Sequence, residues 1–123
     1  MLKKILLICV ATLCLVGCSK ERVMQGTYSC SLDGSTLFVE LLAGGNCVAY
    51  FSDESDSDNG SYFIDGDEIT LIFSISHGKI SSYRYRFYMF RDAGSIYDNN
   101  SFGVTAHEVM NDKDVYCSFV RRN

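Results

Sequence analysis

Gly60-Ser61-Tyr62-Phe63-Ile64-Asp65-Gly66-Asp67-Glu68-Ile69-Thr70-Leu71-Ile72-Phe73-Ser74-Ile75-Ser76 is the stretch that decides the fold. Asp65-Gly66 is a favoured centre for a tight hairpin, because both central residues of such a turn need positive φ. After the turn, Ile69, Leu71, Phe73 and Ile75 fall on one face, with Thr70, Ser74 and Ser76 on the other. Period-two alternation of this kind marks a strand with one buried side. The stretch predicts two antiparallel strands, Gly60–Asp65 and Glu68–Ser76.

The same signals recur on both sides. Asp33-Gly34, Gly44-Gly45-Asn46, Asn59-Gly60, His77-Gly78, Ala93-Gly94 and Asn99-Asn100 punctuate strand-like runs. Further strands are expected at about Gly26–Leu32, Ser35–Leu42, Asn46–Ser52, Lys79–Arg91, Ser101–Ala106 and Asp114–Arg121. Leu37, Val39 and Leu41 lie opposite Glu40. Val104–Asn111 reads equally as a strand end or a short helix. The eight Tyr and eight Phe favour strands over helices. The expected fold class is all-β, an antiparallel meander of about eight strands. Closing it into a small barrel removes the exposed edges, and a β-sandwich is the alternative.

The chain opens Met1-Leu2-Lys3-Lys4, followed by an uncharged run from Ile5 to Val16. As a helix that run is about 18 Å long, against a hydrocarbon core of about 30 Å. A basic start, a short apolar core and a small-residue exit are the features of a secretory signal. The exit, Leu15-Val16-Gly17-Cys18, resembles the lipobox of bacterial lipoproteins in all four positions. The resemblance implies a diacylglyceryl thioether on the Cys18 sulfur and cleavage before Cys18. One acyl chain holds a protein only reversibly, and two or more make the anchor durable. Ser19 resembles the residue that follows the lipidated cysteine in outer-membrane lipoproteins, where Asp often marks inner-membrane retention. The expected destination is the outer membrane, facing the periplasm or the cell surface. The expected organisation is a signal peptide over 1–17, a lipidated N-terminus and mobile tether over 18–25, and a barrel domain over 26–123.

Removing Lys3 and Lys4 from the eleven basic residues leaves nine against fifteen acidic ones, 9 − 15 = −6. An acidic chain lacks the basic footprint that phosphate binding requires, so nucleic acid is excluded as a partner. Beyond Cys18 the remaining cysteines are Cys30, Cys47 and Cys117. An exported compartment permits one bridge and one leftover thiol, and three buried thiols are the alternative. No Cys-x-x-Cys or Cys/His spacing suggests zinc, and no cofactor is implied.

Gly60-Ser61-Tyr62-Phe63-Ile64-Asp65-Gly66-Asp67-Glu68-Ile69-Thr70-Leu71 also resembles the central hairpin of small lipocalin-like lipoproteins, and Gly26-Thr27-Tyr28 resembles their opening Gly-x-Trp or Gly-x-Tyr. The resemblance covers about Gly26 to Arg122. It implies that the first and last strands are neighbours, that Arg121 stacks over Tyr28, and that Cys30 and Cys117 are a candidate disulfide. Tyr28 stands where Trp is commoner, and the chain is short for a deep calyx. Copper-stress sensors of related architecture carry an early Cys-x-x-Cys. This chain has only Cys30 there, so metal sensing is not supported.

Four further features bear on function. Asp53-Glu54-Ser55-Asp56-Ser57-Asp58-Asn59-Gly60 gathers carboxylates as calcium loops do, but placing Gly60 at loop position 6 leaves Gly66 where the bidentate Glu is needed. It reads as a solvated loop. Tyr83, Arg84, Tyr85 and Arg86 form a candidate ligand or partner surface. The plainer reading is alternation, with Tyr83, Tyr85, Phe87 and Met89 inward and the arginines in water. His77 and His107 are the histidines, both read as surface residues. There is no Gly-x-Ser-x-Gly elbow, His-Glu-x-x-His motif or phosphate loop, so no enzyme is expected. The reading is a lipid-anchored envelope protein with a non-catalytic binding or protein-interaction domain. Its alternatives are a lipocalin-like carrier of a small apolar ligand and an envelope enzyme.

Overall fold

Strands form where inward and outward side chains alternate, and the computed structural model, which describes residues 20–78 and 86–122, contains nine of them. They are β1 (Gly26–Leu32), β2 (Ser35–Leu41), β3 (Asn46–Phe51), β4 (Ser57–Asp65), β5 (Glu68–His77), β6 (Arg86–Phe90), β7 (Ala93–Asp98), β8 (Ser101–Glu108) and β9 (Lys113–Arg122). Every pairing is antiparallel, and the wall closes into a barrel with β1 beside β9 and β4 beside β5. β6 and β7 both lie between β5 and β8. They occupy one position in succession, so nine strands make an eight-position wall. Of the two architectures left open by the sequence, the lipocalin-like barrel is the one formed.

The deciding hairpin forms with Asp65 opposite Glu68 and Tyr62 opposite Leu71, so its central residues are Gly66 and Asp67 and not the expected Asp65-Gly66, and only Gly66 (φ 62°) has positive φ. Asp33 and Gly34 both have positive φ (56° and 72°), the geometry that a two-residue hairpin turn requires. Two further expectations fail, and one open reading is resolved. Asn59-Gly60 is no turn but part of β4. A Cβ on Gly60 would lie 2.3 Å from the Ile72 carbonyl oxygen, so glycine serves close approach of two wall strands there. Ala93-Gly94 likewise opens β7 and is not a turn. Val104–Asn111 is not helical, because β8 runs on to Glu108 against β9.

The inward faces supply one core. Tyr28, Leu37, Val39, Ala49, Ile69, Phe102, Ala106 and Phe119 are completely buried, with Phe51, Tyr88 and Phe90 close behind. Phe73 stacks on Phe90 with centroids 4.4 Å apart, and Phe102 stacks on Phe119 at 5.0 Å. Burying side chains of this size contributes about 1.5–3 kcal/mol each.

One barrel end is closed by residues 20–24, which are helical rather than a free tether. Met24 is fully buried there, and the Tyr28 hydroxyl donates to its carbonyl at 2.8 Å. Arg121, the last inward residue of β9, holds this end together. Its Nη1 donates to the Gln25 carbonyl at 2.6 Å, and its Nη2 donates to the Val23 and Asn99 carbonyls, each at 2.7 Å. Its guanidinium carbon stands 5.0 Å from the Tyr28 ring centroid. The stacking that the lipocalin resemblance implies is therefore present.

Candidate functional site

The other barrel end is built from the turns after β1, β3 and β8 and from the ends of β5 and β6. Here the inward register of three strands runs out in charge. On β5 the sequence Ile69, Leu71, Phe73, Ile75 ends in His77. On β8, Phe102, Val104 and Ala106 end in Glu108. On β6, Tyr88 and Phe90 share their face with Arg86.

The last case reverses an expectation. Tyr88 and Phe90 are buried, while Phe87 and Met89 are half-buried on the outer wall, facing Ser76 and Ser74. The run Arg86-Phe87-Tyr88-Met89-Phe90 is apolar in both registers except at its first residue, so alternation could not choose a face. The barrel chose the face that brings Arg86 to carboxylates. Of the candidate partner surface, Tyr83, Arg84 and Tyr85 lie outside the described residues. Arg86 is in the mouth, not on an aromatic outer strip.

The cluster is tightly bonded. Arg86 Nη1 donates to Asp33 Oδ1 at 2.6 Å, and its Nε lies 3.8 Å from Glu108 Oε1. His77 Nδ1 lies 2.8 Å from Asp33 Oδ2, and its Nε2 lies 2.9 Å from Asp53 Oδ2. The His77 ring also packs on Phe51, with centroids 4.3 Å apart. Glu108 is wholly buried. Asn111 donates to its Oε1, and Lys113 Nζ stands 3.4 Å from its Oε2. The Gly78 N–H donates to Glu54 Oε1 at 3.0 Å. A buried carboxylate costs least when it is paired and hydrogen-bonded; here Oε1 has both, while Oε2 has, among the described residues, only the Lys113 charge and no hydrogen bond.

The electrostatics follow from the geometry. Burial pulls the His77 pKa down, but hydrogen bonds to Asp33 and then Asp53 outweigh it, leaving the imidazole above its ordinary value. The hydrogen bond from His77, aided by one from Ser35, holds the Asp53 carboxyl below the usual range. While both His77 nitrogens donate to carboxylates, neither has a lone pair free to take a proton. His107 is a second, more exposed histidine between aspartates, 3.1 Å from both Asp112 and Asp114 on the outer wall.

The sequence reading of His77 as a surface residue missed this cluster. A signal existed: His77 continues the odd-numbered inward register of β5. What it would meet there was invisible, because Asp33, Asp53, Arg86 and Glu108 come from other strands and turns.

Cys30, Cys47 and Cys117 are buried free thiols. Cys30 and Cys117 both face inward on the neighbouring strands β1 and β9, close enough for each to shift the other's thiol, Cys30 upward and Cys117 downward. Burial pushes the Cys47 thiol up to about 11. Cys18 lies outside the described residues. The carboxylates from Asp53 to Asp58 span a loop and the start of β4, and among the described residues no three or more His, Cys, Asp or Glu are grouped to hold a metal ion. An open groove of about 310 Å³ lies on the outer wall between Phe63, Glu68, Thr70 and Arg91. Compared with family models, curated proteins and solved structures, the chain finds no match.

Proposed function

We propose that this chain is a lipid-anchored lipoprotein of the bacterial cell envelope whose barrel is a non-catalytic protein-interaction domain. The observation that carries the second half is the filling of the barrel: the inward positions are taken by Tyr28, Phe51, Phe73, Tyr88, Phe90, Phe102 and Phe119, which belong to one buried core. A carrier needs a few hundred Å³ of lined space for its ligand. Here the chain's own side chains take up the places that would line it. The engagement of both His77 nitrogens speaks against an acid–base role for that residue.

The anchor rests on Lys3-Lys4, the apolar run and Leu15-Val16-Gly17-Cys18. Ser19 supports an outer-membrane destination. Because residues 20–25 sit at the Arg121 end, a lipid on Cys18 would tether that end, and the charged mouth would point away from the membrane. That mouth is the surface we assign to the partner.

Two measurements test the proposal. Wild-type protein should fractionate with membranes and yield an acylated N-terminal peptide beginning at Cys18. Cys18→Ser should give neither. Recovery of an unmodified Cys18 peptide from the wild type would refute the anchor. Native mass spectrometry should give the mass of the protein alone. A persistent adduct of about a few hundred daltons would replace the interaction reading with the carrier one.

A further inference from the structure

The His77 ring bridges two carboxylates on different segments. Asp33 is in the β1–β2 turn and Asp53 in the β3–β4 connection. A neutral imidazole carries one N–H and can donate only once; the imidazolium donates from both nitrogens. Two carboxylates at 2.8 and 2.9 Å are therefore satisfied together only while the ring holds its second proton. We propose that His77 is a proton-operated latch, closing the mouth of the barrel when charged and releasing the β3–β4 connection when neutral.

The surroundings decide which bond goes. Asp33 is 18% exposed and also held by Arg86, whereas Asp53 is 54% exposed. Solvent can take over Asp53 far more cheaply than Asp33. The remaining proton therefore stays on Nδ1, facing Asp33, and the Nε2 bond to Asp53 is lost. The charged and titratable groups around the ring are Asp33 from the first turn, Asp53 and Glu54 from the β3–β4 connection, Arg86 and Tyr88 from β6, Glu108 from β8 and Lys113 from β9. Among the described residues, four carboxylates thus face two permanent cations. Losing the histidine proton leaves Asp53 with the Ser35 hydroxyl and, among the described residues, no cation. The Gly78 N–H to Glu54 bond becomes, among the described residues, the last hydrogen bond between the connection and the end of β5.

The device works near neutral pH because both aspartates favour the charged ring, and it needs no ligand. It stands on this geometry whether or not the mouth receives a protein partner.

The test is a pair of measurements on the whole protein. A ¹⁵N titration of the histidine rings should find both His77 nitrogens protonated at pH 6, and Asp53→Asn should lower the pH at which one proton leaves. Hydrogen exchange should be followed at the amides of Ser52, Glu54 and Gly78, which donate to the Thr36 carbonyl, the Phe51 carbonyl and the Glu54 carboxylate. After correction for intrinsic rates, their protection should fall about tenfold between pH 6 and pH 8.5, the worth of one charge-assisted hydrogen bond. His77→Gln should abolish that difference. Should that variant not fold, Asp53→Asn, an exposed substitution, must shrink it instead. A His77 ring with a single proton at pH 6, or equal protection at both pH values in the wild type, overturns the latch.

Discussion

Arg121 shows how much one side chain can fix. It donates four hydrogen bonds, to the carbonyls of Gln25, Val23 and Asn99 and to Asn100 Oδ1, while lying against the Tyr28 ring. Arg121→Ala should cost about 3 kcal/mol, since hydrogen bonds to charged groups contribute about 1.5–3 each and do not add fully. Arg121→Lys should recover less than half, because an ammonium cannot reproduce the planar fork. Denaturant melts check both, and equal stability of the lysine variant and wild type would contradict the fork argument. His77 carries a signed pH effect. Its folded pKa lies above its unfolded one, so its contribution is fully present below the unfolded value and disappears as pH rises through the folded one. The melting temperature should therefore fall from pH 6 to pH 8.5, and less so in His77→Gln. Asp53 is shifted the opposite way. Its contribution is present above its unfolded pKa and is lost in acid, outside that window.

At the scale of the element, β6 is the instructive case. Its wall position was legible, but its face was not, because Phe87, Tyr88, Met89 and Phe90 are apolar in both registers. The structure makes the choice testable. Phe90→Ala should cost about 3–5 kcal/mol, as deletion of a buried aromatic does, and Phe87→Ala no more than about 1. Reversed values would mean that the strand sits in the other register. The β1–β9 seam makes a second prediction. Cys30 and Cys117 meet there, while Cys47 lies on β3 with its thiol directed to the Ser61 carbonyl. Refolding the protein in the presence of a disulfide reagent should link Cys30 to Cys117 and leave Cys47 free, as peptide mapping would reveal. Any link through Cys47 would show that the seam is arranged differently. Such a bridge must form while the strands are still open, because both sulfurs are buried once the barrel closes.

For the molecule as a whole, closure gives the two barrel ends different characters. One is sealed by Met24 and the Arg121 bonds, and the other carries the paired charges of Asp33, Asp53, His77, Arg86 and Glu108. The sequence by itself determined every strand but β7, most of the turns and the meander, because period-two alternation and Asp-Gly chemistry act within a few residues. It misplaced Asn59-Gly60 and Ala93-Gly94, where glycine answers to a neighbouring strand and not to a local turn. The lipobox reading is likewise local, four residues behind an apolar run. Only the tertiary structure decided the face of β6, the helical path of residues 20–24 and the charged mouth. These depend on barrel closure, which brings residues as far apart as Asp33 and Arg86 within 2.6 Å and fixes which charges face one another.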